Sequence, residues 1–182
     1  LRNAYTHREL LRALSESYIK ARYRQTLLGI GWAIIPPLAL LFVVILAFPH
    51  ISALEPEHPY PLFVFIGLWI WALFANGLSF AIPNLVQNIA LLRKVYFPRE
   101  ILIIAAIVPS VLDFCIGLFI LLLFTLYYNV SISWTFLMLP ILLLIEVLLI
   151  LGISFFGSIA NVAFRDVSKF LPFSLQIIFF TT

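Results

Sequence analysis

Asp113 and Glu146 carry the clearest chemical question in this chain, because each is a lone acid within a long apolar stretch. An ionised carboxylate in hydrocarbon is costly, and such a residue normally faces a bundle interior or water. Two uses fit: part of a proton or ion relay, or a hydrogen-bonding anchor between helices with the acid protonated. No Lys or Arg lies inside any apolar stretch to pair with them, which favours the structural use. Asn76 and Gln176 read the same way. Pro109, one turn before Asp113, is expected to kink its helix and free a backbone carbonyl nearby.

A second constellation is the stretch LLRKVYFPRE, Leu91 to Glu100, where Arg93, Lys94, Arg99 and Glu100 surround Val95, Tyr96, Phe97 and Pro98. It is either a polar loop between spans or a surface held by another protein. A third is aromatic. Trp69, Trp71, Phe74 and Phe80 share one apolar run, and Tyr127, Tyr128 and Trp134 fall near the ends of others. Such rings suit an interfacial belt, and a stripe facing a lumen would also stack on sugar rings. Nothing resembles a catalytic centre: there is no paired acid and base, no nucleophile with a base, and no zinc spacing. His7, His50 and His58 lack ligand spacing, and Cys115 is the only cysteine, so no intrachain disulfide forms. No GxxxxGK[ST] phosphate loop occurs, and Gly29-Ile30-Gly31 lacks the third glycine of a dinucleotide motif. No metal or cofactor is expected on this chain.

The elements that position these residues follow from composition. Of 182 residues, 64% are hydrophobic and 10% charged, whereas soluble domains are about 45–50% apolar and about 25% charged. The expected class is all-α and polytopic. Crossing about 30 Å of hydrocarbon takes roughly 20 apolar residues, and runs 27–47, 62–82, 101–127 and 135–160 reach that length. A further run begins at 170 and stops at 182, so the sequence is expected to end inside a fifth helix. It opens on Leu1 rather than Met, so residues are expected before it, and its charged start predicts no cleavable leader.

The basic residues orient the set. All eleven fall before residue 25, between 93 and 99, or at Arg165 and Lys169, while loops 48–61 and 128–134 hold none. By the positive-inside rule, the N-terminus and the 83–100 and 161–169 loops are expected in the cytoplasm. The net charge of +3 then reflects that bias and anionic lipid headgroups rather than nucleic acid. Within residues 1–26, Leu10, Leu11, Leu14, Tyr18 and Ala21 recur at helical spacing, with Arg8, Arg12, Glu16, Lys20 and Arg24 elsewhere around the helix. That predicts an amphipathic helix in the cytoplasmic interface, either an anchor or a docking element.

Three segments carry a family resemblance: RYRQTLLGIGWAIIPPL (22–38), NIALLRKVYFPREILIIAAIVPSVLDF (88–114) and NVAFRDVSKFLPFSLQIIFF (161–180). In order and interval they resemble the ABC-2-type permeases that export polysaccharides, O-antigen, capsule and teichoic-acid exporters among them. The resemblance covers essentially the whole chain. It implies a homodimer of six-helix subunits in the bacterial inner membrane, of which this chain holds about four and a half spans. It also implies a separate ATP-binding subunit that carries ATP and magnesium, and a lipid-linked polysaccharide as passenger.

The resemblance makes 84–100 a coupling helix, with Asn84 or Asn88 capping it and Pro98 ending it. Leu91, Leu92, Val95, Tyr96 and Phe97 would then be apolar knobs for the ATPase, and Arg93, Lys94, Arg99 and Glu100 its charged contacts. Arg22, Tyr23 and Arg24 would meet that partner or a lipid headgroup. Arg165 and Asp166 mark the loop before the fifth span, and Trp69, Trp71 and Phe74 are candidates for the substrate path. Related permeases for a lipid or drug, an enzyme acting on lipid-linked sugars, and a purely structural subunit are the competing readings.

Overall fold

The computed structural model describes residues 8–24, 28–29, 31–47, 59–94, 98–130, 136 and 138–181, without the side chains of residues 90, 93 and 94. Among them are helices α1 (Arg8–Tyr23), α2 (Gly31–Ala47), α3 (Tyr60–Gln87), α4 (Ile89–Lys94), α5 (Glu100–Tyr127), α6 (Leu139–Ala163) and α7 (Val167–Thr181). The all-α, polytopic reading is borne out, and α3, α5 and α6 are each long and apolar enough to cross a membrane. The sequence boundaries shift where local chemistry dictates. Pro61 and Pro140 stand in the first turns of α3 and α6, where a missing N–H costs nothing. α2 starts only at Gly31, after a turn in which Gly29 has φ +50°. Its 17 residues reach about 25 Å at 1.5 Å per residue, less than the 27–47 run suggested.

α3 and α5 form the centre, and the other long helices are laid on them. Phe65, Leu73 and Ile82 of α3 meet Leu102, Ile103, Ile107 and Phe114 of α5 in one buried cluster that also takes in Ile150 of α6. Phe65 is fully enclosed, with the Trp69 ring at 5.2 Å and Phe124 edge-on at 5.1 Å. In a membrane, water gives helices no reason to associate, so close packing and hydrogen bonds must hold them together. Small residues provide the closeness here. A Cβ on Gly117 would sit 1.6 Å from the Trp69 ring, and one on Gly157 would sit 2.8 Å from Ile82. Ser110, Ser154, Ser158 and Asn161 fill the remaining buried positions between helices. α6 turns most of its surface outward, with Ile141, Leu144, Leu148 and Phe156 exposed.

The basic loops share one end of this bundle. The Asn84 side chain donates to the Leu102 carbonyl at 2.6 Å, and Ser158 donates to the Ala81 carbonyl at 3.2 Å. Asn161 reaches the Ile82 carbonyl at 3.5 Å and accepts from the Ser168 backbone N–H at 3.0 Å. The end of α3, the start of α5, the end of α6 and the start of α7 are therefore tied together at one level. Tyr127 and Tyr128, rings 5.1 Å apart and exposed, mark the opposite end of α5.

Candidate functional site

The site grows out of α1. Leu10, Leu14 and Tyr18 pack against the buried cluster, Ser15 is buried, and Arg8, Arg12, Glu16, Lys20 and Arg24 are exposed. The charged face is as read from the sequence. The apolar stripe, however, faces the bundle, and it ends at Arg22 rather than at the exposed Ala21. A stripe at helical spacing fits lipid and a neighbouring helix equally well, and here α5 supplies the neighbour.

Arg22 and Tyr23 both end on Asp113. The Arg22 guanidinium lies 2.8 Å from Oδ2, and a second nitrogen is 3.5 Å from the Ser110 hydroxyl. The Tyr23 hydroxyl donates to Oδ1. The face of the guanidinium lies over the Phe80 ring, 4.5 Å from its centroid. Burial pulls the Arg22 pKa below its usual value and Asp113 opposes that fall; an arginine stays charged nonetheless. Burial pushes the Tyr18 phenol up, with the Asn84 side chain acting against it. So Asp113 does have a basic partner, carried by α1 rather than by a span. Arg22 and Tyr23, read from the sequence as contacts for a partner or headgroup, are turned inward, while Arg24 is exposed. Phe80, read as part of an aromatic belt, backs the ion pair instead.

Two cavities flank this pair. One, of about 350 Å³, lies between Tyr18, Phe80, Asn84, Gln87, Asn88 and Pro109. The other, of about 260 Å³, lies between Trp32, Pro36, Trp71, Asn76 and Asp113. Arg22 lines both.

The 84–100 segment is partly described. α4 covers Ile89–Lys94, and the Asn88 carbonyl accepts from the N–H groups of Leu91 and Leu92. The Asn88 side chain does not cap that helix; it turns back to the carbonyl and side-chain oxygens of Asn84, at 3.0 and 2.7 Å. Leu91 and Leu92, expected as knobs for a partner, pack half-buried on their own bundle. Pro98 and Arg99 open α5, their carbonyls accepting from Ile101 and Leu102, and Arg99 and Glu100 are exposed. Val95, Tyr96 and Phe97 lie outside the described residues, as do the side chains of Arg93 and Lys94, Trp134 and the three histidines.

The remaining candidates separate. Trp69 is buried and donates its indole N–H to the Phe114 carbonyl at 3.2 Å, which fixes it between α3 and α5. Trp71 and Phe74 line a cavity of about 690 Å³ shared with Glu146 and Phe179. Gln176 is exposed on α7. Arg165 and Asp166 are exposed in the α6–α7 turn, where Asp166 lies 3.7 Å from Lys169 and its carbonyl accepts from two N–H groups that start α7. The residue organising that turn is Asn161, which sequence reading passed over. An asparagine in an apolar run just before an Arg-Asp pair was the available signal. Among the described residues, no group of His, Cys, Asp and Glu is arranged to hold a metal.

Over all 182 residues the chain is 28% identical to the O-antigen export system permease protein RfbA of Myxococcus xanthus, matching 70% of that protein. Two Klebsiella pneumoniae proteins of the same name match over 177 residues, at 26% and 28% identity, spanning 96% of this chain and 67% of each of theirs. No protein-family model matches the chain. The resemblance read from three motifs thus extends along the whole chain, and its apolar helices make it a membrane protein.

Proposed function

We propose that the chain is the membrane-spanning permease subunit of an ATP-driven exporter that moves a lipid-linked, O-antigen-like polysaccharide across the bacterial inner membrane. The observation that carries this reading is its whole-length similarity to proteins named O-antigen export permeases. The shared basic end of the bundle lies in the cytoplasm, as positive-inside bias requires, and the subunit works as a homodimer. ATP and magnesium belong to a separate ATP-binding subunit seated at that end. Related passengers, a capsular or teichoic-acid chain, a lipid or a drug, are the alternatives within transport.

The coupling segment is suited to transmit force. Asn84 holds the end of α3 to the start of α5, Asn88 holds the start of α4 to Asn84, and Leu91 and Leu92 seat α4 on the core. A load applied to α4 is therefore delivered to α3 and α5 together. Exposed Arg99 and Glu100 supply charge for orienting a partner. Co-expression with the cognate ATP-binding subunit tests the proposal. The two should co-purify, and purified lipid-linked glycan should stimulate ATP hydrolysis. Stimulation by simple lipids or drugs alone would overturn the passenger, and failure to co-purify would overturn the partner.

A further inference from the structure

The Arg22–Asp113 pair stands where two cavities would otherwise meet. On α3, Leu68, Ala72, Asn76, Phe80 and Asn84 follow one another at four-residue intervals, a row that winds round the helix by about 40° per step. The upper three line the cavity beside Trp32 and Asp113, and the lower two line the cavity beside Tyr18 and Pro109. α5 shows the same division: Ala106 and Pro109 line the lower cavity and Asp113 the upper. Between these levels the Arg22 guanidinium bridges the two rows, resting on Phe80 of α3 and bonded to Ser110 and Asp113 of α5. Asp113 lies 13 residues along α5 from Glu100, about 20 Å at 1.5 Å per residue. The crossing point is therefore well inside the bundle.

We propose that the two cavities are chambers of one passage along α3 and that Arg22 is the gate between them. With α1 seated, the guanidinium fills the crossing and no polar solute passes from the lower chamber to Asn76. When α1 withdraws Arg22, the chambers join, and the route from the basic end reaches Asn76 and Trp71. The gate is carried by a helix that is not itself a span, so it opens by movement of α1 while α3 and α5 keep their packing. Bound in place, the pair leaves no bare charge: Tyr23, Ser110 and the Phe80 face complete its surroundings. The proposal adds a gated route to the export reading, and its test does not depend on the passenger.

The test uses the full-length protein with its partner subunits in inverted membrane vesicles, with Cys115 and any other cysteine replaced by Ser. Asn76→Cys reports on the upper chamber and Gln87→Cys on the lower, each reacting with a membrane-impermeant thiosulfonate added from the cytoplasmic side. With Arg22 intact, the cysteine at 76 should react slowly and the one at 87 quickly. Adding Arg22→Ala should raise the rate at 76 by about tenfold or more, the effect of a barrier lowered by about 1.4 kcal/mol. The rate at 87 should stay unchanged, and Arg22→Lys should restore slow reaction at 76. Should Arg22→Ala fail to accumulate, Asp113→Asn, which frees Arg22 without removing volume, should give the same rise. Equal rates at 76 with and without Arg22, or a cysteine at 76 as reactive as that at 87 in the parent, would overturn the gate.

Discussion

At the scale of the residue, several of the chain's rare polar groups have specific partners. Asp113 takes Arg22 and Tyr23, Asn84 takes the Leu102 carbonyl, and Asn161 joins α3 to α7. Partners of this kind are invisible to a local reading: Arg22 and Asp113 are 91 positions apart, so no periodicity connects them. Asp113 itself was legible, because a lone acid in an apolar run is conspicuous, whereas its partner was sought only within the spans. Packing was equally hidden. Trp69 looks like a ring available for sugar, but Gly117 leaves the space its indole fills. Gly117→Val should therefore cost about 1–3 kcal/mol through overpacking and lower the apparent Tm of the detergent-solubilised protein. Gly152→Ala, whose Cβ meets nothing within 4 Å, should leave the Tm unchanged or raise it. Equal shifts for the two would contradict the packing role of Trp69.

At the scale of the element, apolar length and charge placement made the helices readable, since a run too greasy for water can only be a span or a buried helix. The 15 residues of α7 and the 17 of α2 fall short of a crossing, and that shortfall at α2 was not legible because Gly29 and Gly31 are as apolar as their neighbours. The face of α1 was half legible. Its charged side was plain, but spacing does not distinguish lipid from α5 as the thing its apolar side touches. In the coupling segment, the basic and aromatic residues of Arg93 to Glu100 stood out. That Leu91 and Leu92 turn back to the core did not, because an apolar knob looks the same whichever way it packs. Under the proposed coupling role the labour divides: Leu91 and Leu92 anchor, and the residues after them contact the partner. Tyr96→Ala or Arg99→Ala should then reduce export and uncouple it from ATP hydrolysis, with membrane insertion unchanged. Export at the parental rate by both variants would remove the segment's coupling role.

At the scale of the whole molecule, the segregation of charge along the sequence becomes a polarity in space. Loops far apart in the chain meet at one end of the bundle through Asn84, Ser158 and Asn161, and all the described basic residues sit on that end or on α1. One strongly basic end, with the α3–α4–α5 segment tied there, supports the proposal that the protein is driven from that side. The most direct test of this account is the sidedness of lipid-linked glycan in cells deleted for the gene. The account predicts that the glycan accumulates on the cytoplasmic leaflet and is missing from the cell surface until the full-length gene is restored. Normal surface glycan in the deletion strain would contradict it.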